Sequence, residues 1–300
     1  MLSASVIITV YKRTTFLKEC VESVVTQQGI SRNNVEIIIV SNTDISTDLE
    51  LDVDKVIYTN DRSVGEKLFL GLKASHSEIN FFLEDDDYFL PTKIKTVLPF
   101  FSDENVGYVH NNTSEYNVNQ NNLNEEPVER IYTAWLDHQS FFMYSKKFWR
   151  FASNMSCIAV RKNSLDVEAI RNIQILPDSV IFPMILINGM QGIQINFPLT
   201  FIRKHSQNTT SSLFKKELSS LAFKESQFWL NYFKGRSIDV EKQSKALLLK
   251  RKLSLDRDCR GPNDFTFDVR DIFLLFQYEL GTGFIINDIM LSIKKFLTKF

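Results

Sequence analysis

The 300-residue sequence has few of the features that mark several common protein classes. Its three cysteines, Cys20, Cys157 and Cys259, are odd in number and far apart, which excludes a disulfide framework and a zinc-type ligand spacing and is read as three reduced thiols. A formal net charge of −1 leaves no broad basic field for a nucleic-acid backbone. No uninterrupted apolar run reaches the roughly 18 residues of a membrane span. The opening "MLSASVIITVYKR" has no basic n-region and no small-residue cleavage site, so it reads as a first strand and not as a signal peptide. The expectation is a cytoplasmic chain, in which the sequons at Asn111, Asn112, Asn154 and Asn208 are coincidental. No internal repeat is visible.

The sequence is rich in phenylalanine, with 25 residues, and has the apolar and charged fractions of a globular protein with a substantial core. The first hundred residues alternate strand and helix signals. "SVIITVY" (5–11), "VEIIIV" (35–40), "KVIYT" (55–59) and "INFFLE" (79–84) are β-branched or apolar runs of the kind buried on both faces of a parallel sheet. Between them, Phe16, Leu17, Cys20, Val21, Val24 and Val25 recur at helical spacing, and "VGEKLFLGLKAS" (64–75) reads as a second helix. This rhythm predicts an α/β fold with a mostly parallel sheet flanked by helices, whose ligands gather beyond the carboxyl ends of the strands.

From 103 to 129 the chain turns polar and rich in asparagine, which predicts a long loop or hairpin. "SCIAVRK" (156–162) reads as a strand, "SVIFPMILING" (179–189) as a helix carrying a proline, and "IQINFPLTFIRKH" (193–205) as a strand pair. Beyond 212 only helical patterns remain. In the last of them, 284–300, Ile285, Ile286, Ile289, Met290, Ile293, Phe296, Leu297 and Phe300 share one face flanked by Lys294, Lys295 and Lys299. Such a basic amphipathic helix either lies peripherally on an anionic membrane or packs on the domain, and both readings stay open.

One stretch asks for an explanation. In "FFLEDDDYFLP" (81–91) a buried strand runs straight into Glu84, Asp85, Asp86 and Asp87. Adjacent carboxylates repel one another, and more so when buried. Either they splay into water or a cation gathers them, and Mg²⁺ and Mn²⁺ are hard ions that accept a few carboxylates and complete their shell with water and phosphate oxygens.

Taken in order, "SVIITVYKR", "VEIIIVSN", "NDRSVGEKLFLGLKASHSEINFFLEDDDYFLPTKI", "SCIAVRKNSL" and "ILPDSVIFPMILINGMQGIQINFPLTFIRKHSQNTTSS" resemble the family-two glycosyltransferases of the GT-A fold. The resemblance implies a GT-A sheet with a C-terminal helical extension, divided as a nucleotide-sugar half (1–110), an acceptor half (111–212) and helices (213–300). It also implies an inverting transfer of a sugar from a nucleotide-diphosphate donor to a hydroxyl of a glycan or lipid-linked acceptor, assisted by Mn²⁺ or Mg²⁺. By this likeness the Thr-x-Tyr-type turn gives Thr9, Val10 and Tyr11 to the donor. The family's metal motif falls on Glu84 and Asp86, with Asp86 as metal ligand and Glu84 and Asp85 as donor-side helpers. Asp178 inherits the role of general base, and the Arg-x-His signature places Arg203 and His205 near diphosphate or metal.

The departures from the family pattern are specific. Where its second strand ends in an Asp pair against the base, this chain has Ser41, Asn42 and Thr43, and where it often carries Ala-Arg-Asn, this chain has Lys67, Leu68 and Phe69. Asn42 and Lys67 are therefore the expected replacements on the donor side. Two competing readings are a nucleotidyltransferase, disfavoured because "VYKRTTF" has no glycine, and a degenerate sugar-nucleotide-binding or scaffolding protein without transferase activity. Residue by residue, Asp178 also has an ordinary explanation as a helix N-cap.

Overall fold

A computed structural model describes residues 3–12, 14–45, 51–117, 133–136, 154–175, 177–204, 215–258, 270–271 and 274–275. The chain divides into two compact units, Met1–Asp137 with Phe151–Ser206, and His138–Arg150 with Gln207–Phe300.

The first unit is built on one sheet. Its parallel part consists of β1 (Ala4–Val10), β2 (Val35–Ser41), β3 (Lys55–Tyr58) and β4 (Ile79–Glu84), in the order β3-β2-β1-β4. All seven residues of β1 are buried, as its uninterrupted apolar run requires of a central strand covered on both faces. Helix α1 (Leu17–Val25) buries Leu17, Cys20, Val21 and Val24, one stripe at three- and four-residue spacing. Helix α2 (Val64–Ala74) starts at an N-cap, Ser63 Oγ accepting the Glu66 N–H at 3.2 Å. It lies so close to β1 that a Cβ on Gly71 would stand 2.4 Å from Ile7 Cγ2, which is why a glycine is needed there.

Beyond β4 the sheet continues as β8-β6-β9-β5, and the pairing becomes mixed. These strands are β5 (Tyr88–Phe89), β6 (Val106–Asn117), β7 (Thr133–Leu136), β8 (Ile158–Arg161) and β9 (Gln191–Lys204). β8 runs antiparallel to both β4 and β6, β9 runs parallel to β6, and β5 and β7 pair antiparallel with β9. Short helices α3 (Lys93–Val97) and α4 (Val167–Ile170) and the buried helix α5 (Asp178–Ile187) complete the unit. Ser179 through Leu186 are all buried, so α5 is covered around its circumference, and the packing of its apolar side chains offsets the cost of Pro183 inside the helix.

Two expectations change here. The polar stretch after residue 103 begins as a strand, β6, and residues 118–132 lie outside the described part. Residues 193–204 form one strand and not a pair: opposite Asn111 and Asn112 the partner on β9 jumps from Ile195 to Pro198. Pro198 cannot donate to the ladder, so the strand bulges there and continues, and the sequence signal of a turn was this bulge.

In the second unit, α6 (Lys215–Phe233) and α7 (Ile238–Asp258) pack against each other. Trp229, Tyr232 and Phe233 form a ring cluster on α6. The amphipathic segment 284–300 lies outside the described residues. Among the described residues no helix is long and apolar enough to cross a membrane.

Candidate functional site

The carboxyl ends of β1, β2 and β4 stand side by side, because Thr9 pairs in register with Glu84 and Val10 with Ser41. Thr9 and Val10 are buried in the sheet, and Val10 belongs to the apolar core, so at this end it offers its main chain only. The chain leaves β1 at Tyr11, a residue 44% exposed, and turns at Lys12 with φ 60°. The Tyr11 N–H donates to Asp85 Oδ2 at 3.0 Å, which ties the β1 turn to the acidic run.

The β2 end is held by Ser41, whose hydroxyl donates to the Thr43 carbonyl at 2.7 Å. Asn42 follows, and its Oδ1 is buried with no hydrogen-bond partner among the described residues. From β3 the chain passes through Asp61, whose carboxylate accepts the Ser63 N–H at 2.7 Å, and enters α2. Lys67, on the first turns of α2, is 2% exposed and donates to the carbonyls of Arg62 (3.2 Å) and Ser63 (3.4 Å). Its ammonium lies 5.2 Å from the centroid of the Tyr11 ring. Burial lowers its pKa to about 8, against the opposing pull of Asp61 and Asp85.

The four acids neither share one environment nor splay into water. The Asp87 N–H donates back to the Glu84 carbonyl at 3.2 Å and so makes a tight turn. Asp85 faces β1, while Asp87 accepts from the Ser156 hydroxyl at 2.6 Å and from the Arg203 N–H at 3.1 Å. Asp85, Asp86 and Asp87 are buried and Glu84 is partly so. Burial, and then the charge of Asp86, push Asp87 up to about 7, partly offset by its two hydrogen bonds and by Lys93. Glu84 is raised well above the carboxylate range by burial and by Asp87, Asp86, Asp85 and Asp178.

Two residues that the sequence reading did not single out, Ser156 and Lys93, hold this turn in place. Ser156 lies in the turn Met155–Cys157, and its hydroxyl accepts the Glu84 N–H at 3.0 Å while donating to Asp87. Lys93 is fully buried and donates to the Ser156 carbonyl and, at 2.7 Å, to Thr200 Oγ1. Burial lowers its pKa to about 7. A lysine in "PTKIK" reads as a surface residue, and only its partners from distant segments show otherwise.

Arg203, on β9, sends Nε to the Asp86 carbonyl at 3.1 Å, pairs with Glu19, and stacks its guanidinium 4.3 Å from the Phe16 ring centroid. Asp178 begins α5, and its Oδ2 accepts the Asn154 N–H at 3.4 Å. Asn154 Oδ1 in turn accepts the Ser156 N–H at 3.0 Å, and Ser156 Oγ accepts the Glu84 N–H, which ties Asp178 to the turn after β4. The described candidates from Thr9 to Arg203 thus converge on one end of the sheet. His205 lies outside the described residues. Among the described residues no group of three or more His, Cys, Asp and Glu side chains is arranged to hold a metal ion by itself.

The architecture is similar to that of solved glycosyltransferases. S. aureus TarS 1-349 in complex with UDP-GlcNAc matches with a TM-score of 0.60 and 13% identity, over 96% of this chain and 81% of that one. The mannosyltransferase PcManGT from Pyrobaculum calidifontis, in complex with GDP-Man and Mn²⁺, matches with a TM-score of 0.53 and 12% identity, over 91% and 78% of the two chains. Against a longer S. aureus TarS structure the TM-score is 0.59 at 14% identity, covering 86% of this chain but only 45% of that one. No curated protein matches the sequence. The family profile described as glycosyl transferase family 2 matches residues 5–167, more than half of the chain, and the protein therefore belongs to glycosyl transferase family 2.

Proposed function

We propose that this glycosyltransferase moves a sugar from a nucleotide-diphosphate donor to an acceptor hydroxyl with inversion, using Asp178 as general base. The observation that carries the reading is the convergence, at one end of the sheet, of an exposed aromatic ring, an acidic turn braced by an arginine, and a separate carboxylate on another element. Solved relatives of the fold hold UDP-GlcNAc, or GDP-Man with Mn²⁺, which supports a nucleotide-sugar donor and a divalent ion here.

Each group has a chemical task. Tyr11 presents a ring face on which a base can stack. Arg203 adds positive charge beside the acidic turn, where a departing diphosphate gains negative charge. The acidic turn fits a divalent cation: its oxygens are hard donors, and positive charge would offset the burial and the Asp86 repulsion that push Asp87 up to about 7. Asp86 would hold the ion, with Glu84, Asp85 and His205 at its margin. When bound, Mn²⁺ or Mg²⁺ supplies Lewis-acid neutralisation of the leaving diphosphate. Asp178 takes the proton of the attacking hydroxyl, and no covalent enzyme intermediate is required. A glycan or lipid-linked acceptor, with peripheral membrane contact through 284–300, completes the proposed assembly.

The test is to incubate the chain with a panel of nucleotide-diphosphate sugars, candidate acceptors and Mn²⁺, following donor consumption and product mass. Turnover that disappears in Asp86→Ala supports the reading. Tight donor binding without transfer or hydrolysis of any donor would instead support the second reading, a sugar-nucleotide-binding protein, for which the glutamate at position 84 is the motivating departure.

A further inference from the structure

A long cationic side chain stabilises developing charge best when it is ordered before the reaction begins, because ordering it during the reaction costs free energy. Arg203, on β9, is ordered by contacts of different kinds. Its Nε donates to the Asp86 carbonyl at 3.1 Å, its Nη2 pairs with Glu19 on the first turn of α1, and its guanidinium lies 4.3 Å from the Phe16 ring centroid. The Tyr88 centroid is 5.8 Å from the same group, and Tyr88 in turn stacks on Phe201 at 4.4 Å. Each contact removes a different freedom. A ring against a planar cation limits its tilt but lets it turn in its own plane. The bond through Nε fixes one point. A second bond through another nitrogen stops rotation about that point, and Glu19 supplies it. The pairing has little other use. Glu19 is 53% exposed, and an ion pair open to water adds little stability. The two residues are 184 positions apart, so no local turn requires them to meet.

We infer that Glu19 is a positioning residue of the transfer reaction, which fixes the direction in which Arg203 presents its charge to the departing diphosphate. This deepens the proposed function and rests on its placing of Arg203 at the diphosphate. Glu19 acts through the guanidinium and not on the donor or the acceptor. Binding the donor needs a positive charge near the phosphates, and that charge survives the loss of Glu19. Stabilising the charge that grows on the leaving oxygen needs the correct direction as well, and that is lost. The effect therefore falls on kcat and not on KM. The negative charge of Glu19 is not what the role requires. A glutamine oxygen accepts the same hydrogen bond, so glutamine can replace the residue and alanine cannot.

The test compares the unmodified full chain with Glu19→Ala, Glu19→Gln, Arg203→Ala and the variant carrying both alanines. Steady-state kinetics are followed on UDP-, GDP- and dTDP-sugars with Mn²⁺, and the urea midpoint of each protein is measured. Expected in Glu19→Ala is a kcat about tenfold lower at nearly unchanged KM, a part of what losing a preorganised group outright costs. Its urea midpoint should stay close to that of the unmodified protein. Glu19→Gln should keep kcat. The variant with both alanines should be no slower than Arg203→Ala alone, because a residue that acts through another has no effect once that other is gone. Full kcat in Glu19→Ala beside a slow Arg203→Ala would overturn the inference and leave the proposed function standing. Additive losses in the variant with both alanines would also overturn it, since Glu19 would then act apart from Arg203. Faster turnover in both Glu19 variants would overturn it too, by showing that the carboxylate competes with the diphosphate for the guanidinium. Full turnover in Arg203→Ala, or none by the unmodified protein on any donor, would overturn the inference together with the reading on which it rests.

Discussion

Arg203 and Asp87 are 116 positions apart in the chain, yet the backbone N–H of the arginine meets Asp87 Oδ1 at 3.1 Å. With the bond from Arg203 Nε to the Asp86 carbonyl, this fastens the turn after β4 to the long strand β9. The side chain therefore supplies charge while its own backbone positions the acids that the charge is to balance.

Replacing Arg203 with alanine is expected to lower kcat/KM by about 10²-fold, the scale of losing one preorganised charge at a leaving group. Arg203→Lys should recover only part, because an ammonium cannot reproduce the fork that spans the Asp86 carbonyl and Glu19. Steady-state kinetics with the donor found in the panel experiment would check both.

Asp178→Asn keeps the shape at the start of α5 and removes the proposed base. Transfer should fall by about 10²- to 10⁴-fold, with donor affinity unchanged by calorimetry. A variant that retained full turnover would reduce Asp178 to a residue that favours the helix N-terminus.

Ser156→Ala leaves the Glu84 N–H and one Asp87 oxygen without their shared hydroxyl. The expected loss is about 1–3 kcal/mol, the cost of orphaning buried polar groups, read as a lower urea midpoint at unchanged slope.

Lys93 gives a pH signature. Its folded pKa is lowered from 10.5 to about 7, so above pH 7 the unfolded chain holds a proton that the folded chain has released. Stability should thus rise as pH goes from about 7 towards the unfolded value, by up to about 1.4 kcal/mol per pH unit from this group. The contribution is complete above the unfolded pKa and is lost as pH falls through the folded one. Lys67, lowered to about 8, adds with the same sign, whereas Asp87, raised to about 7, acts in the opposite sense at lower pH. Urea denaturation between pH 7 and 8.5 should show a shallower slope in Lys93→Met than in the unmodified protein, whatever the absolute loss.

The parallel part of the sheet was legible in the sequence because strands buried on both faces must be apolar throughout. "SVIITVY", "VEIIIV" and "INFFLE" leave no other reading at that length, and β1, β2 and β4 lie where they predict. β9 was not legible as one strand, since Phe197-Pro198 carries the local signature of a turn, and only its pairing with β6 shows a bulge. The candidate residues could be named from the sequence, but not the network that joins them. Four consecutive acids look equivalent in a sequence; what separates them is that Asp85 meets Tyr11 while Asp87 meets Ser156 and Arg203. Lys93 escaped notice for the same reason, because its partners, Ser156 and Thr200, come from distant segments.

The register between β1 and β4 acts as a ruler. Since Thr9 lies opposite Glu84, the aromatic turn and the acidic turn begin one interstrand spacing apart, about 4.8 Å, whatever the loops beyond them contain. Loop residues past Tyr11 can be exchanged to suit another donor without altering that separation. A single residue inserted within β1 would instead move the strand by half a pleat period and exchange its side chains between two faces that are both packed, so that neither layer would fit. Diversification of this protein should therefore tolerate insertions after the strand ends and reject them a few residues earlier.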